Sequence, residues 1–327
     1  MDLNLHIGTP ENKESYHPFN ENSIYDIIII GGGPAGLTAA VYCMRKGLNT
    51  GIIIKQVGGQ VADTAGIENY MGYRYISGLD LTDKFRSQVT QFGISYEEFR
   101  SAVEITPGSL KQVTLDDGRI LSAKALIIAT GKSWKKLNVP GEKRLTGHGV
   151  AYCATCDGPL YAGKDVVIVG GGNSGLEAVI DIAPIATHVT LVQFLDHLTA
   201  DRILQKKILE FENLTVLLSH QITEIIGDTH VTAVTIENRK TQESTTMDTS
   251  GVFIEIGLVP NSGFVRGVLD LNRFGEIITD KSCRTSSPGI FAAGDVTTIP
   301  YKQIIIAAGE GSTAALAAHE YILQNEV

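Results

Sequence analysis

Two cysteines separated by two residues offer the clearest redox chemistry in the sequence. They are Cys153 and Cys156, and Asp157 follows directly. A Cys-x-x-Cys pair can open and close a disulfide, and a helix N-terminus or a nearby positive charge makes one thiolate available. Because the carboxylate stands beside the second thiol, it can exchange protons there as a general acid and base. The pair therefore indicates disulfide exchange.

Two other interpretations of the pair remain open. A zinc site would need two more ligands, but Cys43 and Cys283 are far away in the sequence and the nearest histidine, His148, is five positions before Cys153. We therefore predict no metal. A buried pair of structural thiols is the second alternative, and Asp157 would then be a solvated or helix-capping carboxylate.

A glycine pattern occurs twice, each time between a predicted strand and a predicted helix. Residues 31–36 follow the aliphatic run 25–30, and residues 170–175 follow the run 165–169. This context is what a dinucleotide-binding fingerprint requires, because the helix N-terminus then faces the pyrophosphate. Two glycine-rich turns without a ligand would explain one copy better than two. We predict two βαβ units that bind dinucleotides.

Each glycine of the fingerprint has its own role. The first makes the tight turn, the second lets the backbone approach the pyrophosphate, and the third lets helix pack on strand. In chain order these are Gly31, Gly33 and Gly36 in the first copy, and Gly170, Gly172 and Gly175 in the second. Neither copy has the acidic residue that usually follows about 20 positions on and holds the ribose. Lys55 and Gln193 stand there instead.

Length and composition restrict the class of protein. A chain of 327 residues with 43% hydrophobic content predicts about two globular domains. The net charge of −9 disfavours nucleic acid and anionic membranes as partners. No apolar run reaches the length of a membrane span, and residues 1–24 lack the features of a targeting peptide. We expect a cytoplasmic protein without membrane or nucleic-acid partners.

The motifs and their order resemble those of the low-molecular-weight thioredoxin reductase family over residues 24–325. They are residues 31–36, Gly58-Gly-Gln60, Glu68-Asn69, Ala129-Thr-Gly131, Cys153-Ala-Thr-Cys-Asp157, residues 170–175 and Gly294-Asp-Val296. Residues 156–160, 172–175 and 300–306 are most similar to the flavoprotein subunit of alkyl hydroperoxide reductase. That subunit adds N-terminal thioredoxin-like domains, whereas about 24 residues precede the first predicted strand here. We expect the thiol carrier to be a separate protein.

The resemblance implies an α/β fold of two Rossmann-like nucleotide-binding domains of the three-layer ββα type, the second inserted into the first. After an N-terminal leader (1–24), residues 25–135 and 258–327 would form the FAD domain. Residues 136–257 would form the NAD(P)H domain with the cysteine pair. The family is homodimeric. Cys156 would face the flavin, Cys153 would attack the partner disulfide, and Asp157 would move protons.

The resemblance also places cofactor-binding residues around each fingerprint. Around the first copy they are Gly31, Gly33, Pro34, Ala35, Gly36, Lys55, Gln60, Asn69, Gly131, Asp295, Val296, Lys302, Gln303 and Ile304. Around the second they are Gly170, Gly172, Asn173, Ser174, Gln193 and Gly257. Asp295 is expected to accept a hydrogen bond from a ribityl hydroxyl of FAD.

The second fingerprint also predicts the electron donor. NADPH-using members of the family present a His-Arg-Arg run and a further arginine, where this sequence has residues 193–195 and Thr199. No cation remains at these positions to meet a 2′-phosphate, and each lost charge-assisted contact costs about 1.5–3 kcal/mol. We therefore predict NADH over NADPH, with the Gln193 amide on the ribose hydroxyls.

Together these features predict an FAD-dependent NAD(P)H:disulfide oxidoreductase. Electrons would pass through Cys153 and Cys156 to a thioredoxin or glutaredoxin-like carrier, which could in turn serve a peroxiredoxin. Three alternatives remain open: a flavin module bound within a peroxiredoxin-reducing system, an NADH oxidase and a reductase fed by ferredoxin.

Overall fold

The computed structural model describes residues 16–64 and 66–325, which divide into two compact units. Unit 1 contains the described residues of Met1–Val61, Leu81–Gly131 and Pro260–Val327, and unit 2 contains those of Ala62–Asp80 and Lys132–Val259. Residues 62–80, assigned to the first domain from sequence, thus group with unit 2. Of the predicted leader, residues 1–15 lie outside the described residues. The cofactor bound by each domain stays a prediction.

The elements are numbered along the chain. The strands are β1 (Tyr16–His17), β2 (Ile24–Ile30), β3 (Thr50–Ile54), β4 (Ile94–Glu98), β5 (Ala102–Thr106), β6 (Lys111–Leu115), β7 (Ile120–Ile128), β8 (Lys132–Trp134), β9 (Val150–Ala151), β10 (Asp165–Val169), β11 (His188–Gln193), β12 (Leu214–Leu218), β13 (His220–Ile226), β14 (Ala233–Asn238), β15 (Ser244–Asp248), β16 (Gly251–Ile254), β17 (Leu258–Pro260) and β18 (Ile290–Ala292). The helices are α1 (Pro34–Arg45), α2 (Gly78–Thr90), α3 (Glu142–Leu145), α4 (Ala154–Asp157), α5 (Asn173–Ile182), α6 (Arg202–Ile208) and α7 (Ile304–Asn325).

Unit 1 is built on a sheet ordered β1-β4-β3-β2-β7-β6-β5, with β18 also paired to β7. Strand β2 lies in parallel between β3 and β7, and its isoleucines 27–30 are buried because helices and loops cover both faces. Helices α1 and α7 pack closely, since a Cβ on Gly311 would lie 2.1 Å from the Ala35 carbonyl oxygen. This packing places the start of α1 at the carboxyl end of β2.

Unit 2 has a parallel sheet in the order β12-β11-β10-β16-β9 and an antiparallel sheet in the order β13-β14-β15. One core cluster joins the parallel sheet to α5, and another includes both sheets. The layers are therefore helix, parallel sheet and antiparallel sheet. This arrangement confirms the predicted fold class of Rossmann-like nucleotide-binding domains of ββα type.

The described part of the chain contains no helix long and apolar enough to cross a membrane. Within the same residues, no group of three or more histidine, cysteine, aspartate or glutamate side chains is arranged to hold a metal ion.

Candidate active site

The first glycine fingerprint combines two crowded glycines with one that faces open space. Gly31 has φ of +125°, and a Cβ there would lie 2.2 Å from the Ala129 carbonyl oxygen. A Cβ on Gly36 would lie 1.9 Å from the Gly31 carbonyl oxygen. A Cβ on Gly33, by contrast, would meet no protein atom within 4 Å. The backbone at Gly33 is thus open to a ligand at the N-terminus of α1.

The second fingerprint repeats this geometry in unit 2. Gly170 has φ of +122°, and a Cβ there would lie 2.3 Å from the Glu255 carbonyl oxygen. A Cβ on Gly175 would lie 1.8 Å from the Gly170 carbonyl oxygen. The nearest atom to a Cβ on Gly172 is the Thr199 hydroxyl oxygen, 3.7 Å away. Both turns therefore fit the pyrophosphate of a dinucleotide.

The other residues predicted around the first copy fall mainly in unit 1. Asp295 and Val296 lie in the 3₁₀ helix Gly294–Val296. Gln303 and Ile304 lie at the start of α7, and Lys55 is exposed after β3. Pro34 and Ala35 open α1, Gln60 lies in the 3₁₀ helix Gly59–Asp63, and Gly131 ends the central segment of unit 1. Asn69 belongs to the segment that groups with unit 2.

The ammonium group of Lys302 is held within unit 1. It donates a hydrogen bond to the Thr297 carbonyl oxygen at 2.8 Å and lies 3.4 Å from a Glu276 carboxylate oxygen. These contacts fix the side chain just before α7. Its predicted place near the flavin ring stays a prediction.

Glu310 is a residue of unit 1 that the sequence did not single out. Its carboxylate accepts a hydrogen bond from the backbone N–H of Gly294 at 2.8 Å, so it holds the loop that precedes Asp295. Burial raises the pKa of Glu310, and the hydrogen bond from Gly294 opposes that rise. A glutamate in the middle of α7 gives no sequence signal for this role.

At the second fingerprint the Gln193 side chain is buried and braces the glycine turn. Its oxygen accepts from the Gly171 N–H at 3.0 Å, and its nitrogen donates to the His197 carbonyl oxygen at 3.0 Å. An amide has two donors and two acceptor sites, so one of each remains for a ribose hydroxyl. The Asn173 side chain exchanges hydrogen bonds with Asp201, Ser174 is exposed at the start of α5, and Gly257 accepts from Lys135.

A cation lies beside this loop, although the local sequence shows none. The Arg239 guanidinium carbon is 3.4 Å from the centre of the Phe194 ring, and its Nη1 donates to the Phe194 carbonyl oxygen at 2.9 Å. Arg239 follows β14 and is 45 positions from its partner, so motif comparison around residue 193 could not find it. The positions compared with the family still carry no cation, but Arg239 reaches Phe194 from a distant strand end.

The cysteine pair forms a disulfide, as expected for a redox-active pair. Cys153 caps the N-terminus of α4, and its sulfur accepts from the Cys156 N–H at 3.2 Å. Both cysteines are half-buried. Cys43 and Cys283 are free and buried, and burial raises the pKa of each thiol to about 12. Those two thiols are unsuited to exchange near neutral pH.

Asp157 is buried at the end of α4. Its carboxylate does not cap the 3₁₀ helix Gly158–Tyr161 that it precedes, so the capping alternative finds no support in this geometry. Burial, reinforced by the charge of Asp157, raises the pKa of Tyr161 to about 12. The carboxylate and the tyrosine are therefore close enough to interact electrostatically.

An aromatic pair includes Tyr152, the residue directly before Cys153 in the chain. The Trp134 and Tyr152 rings are stacked with their centres 5.6 Å apart and 17° between their planes. The Tyr152 hydroxyl donates to Glu142 at 2.8 Å. Burial and this hydrogen bond raise the pKa of Tyr152. The only tryptophan of the chain therefore contacts the residue that precedes Cys153.

Glu255 is a further residue, near the cysteine pair, that the sequence did not single out. Its carboxylate accepts from the backbone N–H of Ala154, between the two cysteines, at 3.2 Å. Burial raises the pKa of Glu255 to about 8; the Ala154 N–H lowers it, and the charges of Glu177 and Asp181 raise it further. The sequence around Glu255 gives no signal that its carboxyl reaches a loop 101 residues earlier.

Solved structures share this fold at substantial identity. A thioredoxin reductase from Streptococcus pyogenes matches 93% of this chain and 99% of its own, with a TM-score of 0.87 and 39% identity. A thioredoxin reductase from Giardia duodenalis matches 91% of this chain and 99% of its own, with a TM-score of 0.84 and 33% identity. The resemblance noted in the motifs is confirmed over nearly the whole fold.

Curated relatives include longer proteins. One of them, a subunit of alkyl hydroperoxide reductase in Staphylococcus epidermidis, is 45% identical over 326 residues, which are 99% of this chain and 64% of that protein. An NADH dehydrogenase from Bacillus subtilis is 44% identical over 307 residues, or 94% of this chain and 60% of that protein. The chain thus spans about three fifths of their length. A family model described as pyridine nucleotide-disulphide oxidoreductase matches residues 25–311, and the chain belongs to that family.

Proposed function

We propose that the protein is an FAD-dependent NADH:disulfide oxidoreductase that reduces a small thioredoxin-like protein through Cys153 and Cys156. The observation that carries the proposal is the disulfide in the same unit as a glycine turn that fits a dinucleotide, with Glu255 contacting both that turn and the backbone between the two cysteines. The open backbone at Gly33 supports FAD in unit 1, and the one at Gly172 supports the nicotinamide nucleotide in unit 2. When bound, FAD would take a hydride from NADH and supply two electrons to the disulfide.

The cysteines and Asp157 divide the remaining work. Two electrons and two protons convert the Cys153–Cys156 disulfide to two thiols, with Cys156 receiving the electrons and Asp157 relaying a proton. The Cys153 thiolate then attacks the partner disulfide and forms a mixed disulfide. Attack by Cys156 on Cys153 releases the partner dithiol and restores the internal disulfide.

An anaerobic titration of the purified holoenzyme tests this scheme. We expect NADH to deliver four electrons per protomer to the wild type and two to Cys156→Ser, because the variant retains only the flavin as an acceptor. Cys283→Ser is the matched control, since that thiol is buried with a pKa of about 12, and it should still take four. An uptake of four electrons by Cys156→Ser, or no reduction by NADH, would contradict the proposal.

We further propose that NADH is the preferred donor. Residues 193–195 lack the expected arginines, and an NADH dehydrogenase is among the relatives. Arg239 is exposed beside Phe194 and is the group we assign to any residual 2′-phosphate contact. Arg239→Ala should lower the rate constant for flavin reduction by NADPH about tenfold and leave the NADH value within twofold. A tenfold preference of the wild type for NADPH would overturn the assignment.

A second function is favoured by the relative named NADH dehydrogenase, namely electron transfer from the flavin to an acceptor that needs no cysteines. Cys156→Ser separates the two functions. Under the disulfide scheme, NADH-dependent reduction of the disulfide reagent DTNB is lost, whereas NADH oxidation by oxygen is unchanged. If wild type and variant reduce DTNB equally, the second function is the correct one.

We propose a thioredoxin or glutaredoxin-like carrier as the partner, within a system that also reduces a peroxiredoxin. The relatives named as alkyl hydroperoxide reductase subunits support this choice. A Cys156→Ser protein leaves the attacking Cys153 without its resolving thiol, so it should trap the carrier as a mixed disulfide. We also propose a cytoplasmic homodimer, which light scattering of the holoenzyme would test at twice the 35.1 kDa chain mass.

A further inference from the structure

Glu255 contacts both the nucleotide turn and the redox loop of unit 2. Its backbone N–H donates to the Val169 carbonyl oxygen at 2.8 Å, which extends the pairing of β10 and β16 by one residue. Its carbonyl oxygen lies against Gly170, and its carboxylate reaches the Ala154 N–H at 3.2 Å. Because the residue continues a central parallel strand, its backbone position is fixed by the sheet.

The groups around the Glu255 carboxyl favour its neutral form. Helix α5 contributes the negative charges of Glu177 and Asp181, and α4 contributes the Ala154 N–H. The pKa of Glu255 is raised to about 8 because burial and the two α5 carboxylates outweigh the single hydrogen bond. At pH 7 the carboxyl therefore holds a proton beside the cysteine pair.

The charge of this carboxyl matters to the reduced cysteines. Two electrons and one proton convert the disulfide to one thiol and one thiolate, which places a negative charge next to Ala154. A neutral carboxyl leaves that thiolate stable, whereas a carboxylate in the same place repels it. Proton loss from Glu255 and from the cysteines should consequently be coupled. Ionisation of Glu255 should raise the pKa of the cysteines, and ionisation of a cysteine should raise the pKa of Glu255.

We propose that Glu255 is a positioning residue that holds the N–H between the two cysteines and whose protonation is coupled to thiolate formation by the reduced pair. The inference rests on the proposed function only in that the pair cycles between disulfide and dithiol. One residue thereby links the nucleotide-binding strand to the reactivity of the cysteines.

The test measures thiolate formation directly in the holoenzyme. The protein is reduced with dithiothreitol, desalted anaerobically and alkylated with iodoacetamide between pH 5 and 10, and peptide mass spectrometry gives the rate at Cys153 and Cys156. Cys43 and Cys283 serve as internal references because their pKa of about 12 keeps them unreactive in this range. The experiment uses neither nucleotide nor carrier, so its failure is distinct from failure of the proposed function.

Glu255→Gln keeps an oxygen for the Ala154 N–H but cannot ionise. We expect thiolate formation in the variant to match the wild type below about pH 8, where Glu255 is protonated, and to exceed it above that pH, where the ionised carboxylate opposes the thiolate in the wild type. Glu177→Gln is the matched control, since that exposed carboxylate acts on Glu255 only by charge, and it should shift the profile by less than about 0.3 units. Superimposable profiles for wild type and Glu255→Gln would overturn the coupling.

Glu255→Ala separates the positioning role from the charge. It removes the acceptor of the Ala154 N–H, so the equilibrium between dithiol and disulfide in glutathione buffers should shift about threefold or more at pH 6. At that pH the wild type is protonated, and Glu255→Gln should match it within twofold. Equal equilibria for Glu255→Ala and wild type at pH 6 would overturn the positioning role.

Discussion

The two glycine fingerprints are alike at their glycine turns and differ where the second strand of each βαβ unit ends. In both, the first and third glycines are crowded by backbone and the second faces open space. After β3, however, the exposed Lys55 follows, whereas β11 ends in the buried Gln193 that braces its own glycine turn. We therefore expect the shared part to bind the pyrophosphate that all dinucleotides have in common, and the differing part to distinguish one nucleotide from another.

Each unit also uses a half-buried glutamate to hold one backbone N–H of a loop. Glu310 accepts from Gly294 in unit 1, and Glu255 accepts from Ala154 in unit 2. Burial raises the pKa of both, but the positive charge of Lys302 opposes the rise at Glu310, whereas the carboxylates of Glu177 and Asp181 add to it at Glu255. The same hydrogen bond thus has a cation beside it in one unit and two further carboxylates beside it in the other.

The crowded glycines should give the largest effects and should separate the two units. Gly36→Ala places a methyl group 1.9 Å from a backbone oxygen, so α1 must move and the protein should lose its flavin. Gly175→Ala makes the same clash in unit 2, so flavin should be retained while reduction by NADH falls at least a hundredfold. The ratio of flavin to protein and the stopped-flow reduction rate measure both. Flavin retained by Gly36→Ala would break the comparison.

The open glycines should affect ligands without affecting the fold. Gly33→Ala and Gly172→Ala add a methyl group that meets no close protein atom, so each should change the free energy of unfolding by less than about 1 kcal/mol. The methyl group occupies phosphate space, and the dissociation constant should rise at least tenfold, for FAD in the first variant and for NADH in the second. Titration of each ligand checks this. Unchanged ligand affinity would remove the phosphate assignment.

Substitutions at the two strand ends, unlike those at the open glycines, should change the free energy of unfolding by different amounts in the two units. Gln193→Ala leaves the Gly171 N–H and the His197 carbonyl without their partner, which should cost about 1–3 kcal/mol of unfolding free energy. Lys55→Ala changes an exposed side chain and should cost less than about 0.5 kcal/mol. Denaturant unfolding compares them. Equal costs would mean that the strand ends are equivalent after all.

The two half-buried glutamates, Glu255 and Glu310, should differ in how stability depends on pH. An acid whose pKa rises from 4.5 unfolded to about 8 folded makes the folded state less stable as pH increases between those values. Glu255→Gln removes this loss, so its gain in Tm over wild type should grow from pH 5 to 8 and then level off at roughly 2–6 °C. Glu310→Gln should show a smaller pH-dependent gain because Lys302 and the Gly294 N–H offset the burial. A Tm difference independent of pH would contradict the Glu255 assignment.

The smallest expected effect is optical and concerns unit 2 alone. Trp134 stacks on Tyr152, which precedes Cys153, so reduction of the disulfide should change tryptophan emission by roughly 10–30%. The change should be absent in Cys156→Ser, where no disulfide forms. Emission that changes equally in both proteins would mean that the indole senses something other than the cysteine pair.

The sequence predicted features that depend on residues close together in the chain. Residues 165–169 form a strand as expected, and the glycine turns and the disulfide follow from local spacing. The contacts of Arg239 with Phe194 and of Glu255 with Ala154 depend on how distant strands are placed in space, which no local pattern encodes. The grouping of residues 62–80 with unit 2 likewise depends on tertiary packing.

The packing of α1 against α7 has a consequence for synthesis on the ribosome. Helix α1 and strand β7 emerge early, but β18 and α7, which complete their sheet and cover it, are encoded after residue 289. Strands β8 to β16 are all translated before that point. At about 5–20 residues per second, the apolar face of α1 waits on the order of 10 seconds or more for its partner helix. The nascent chain therefore exposes the apolar face of α1 while all of unit 2, which contains Cys153, has already been translated.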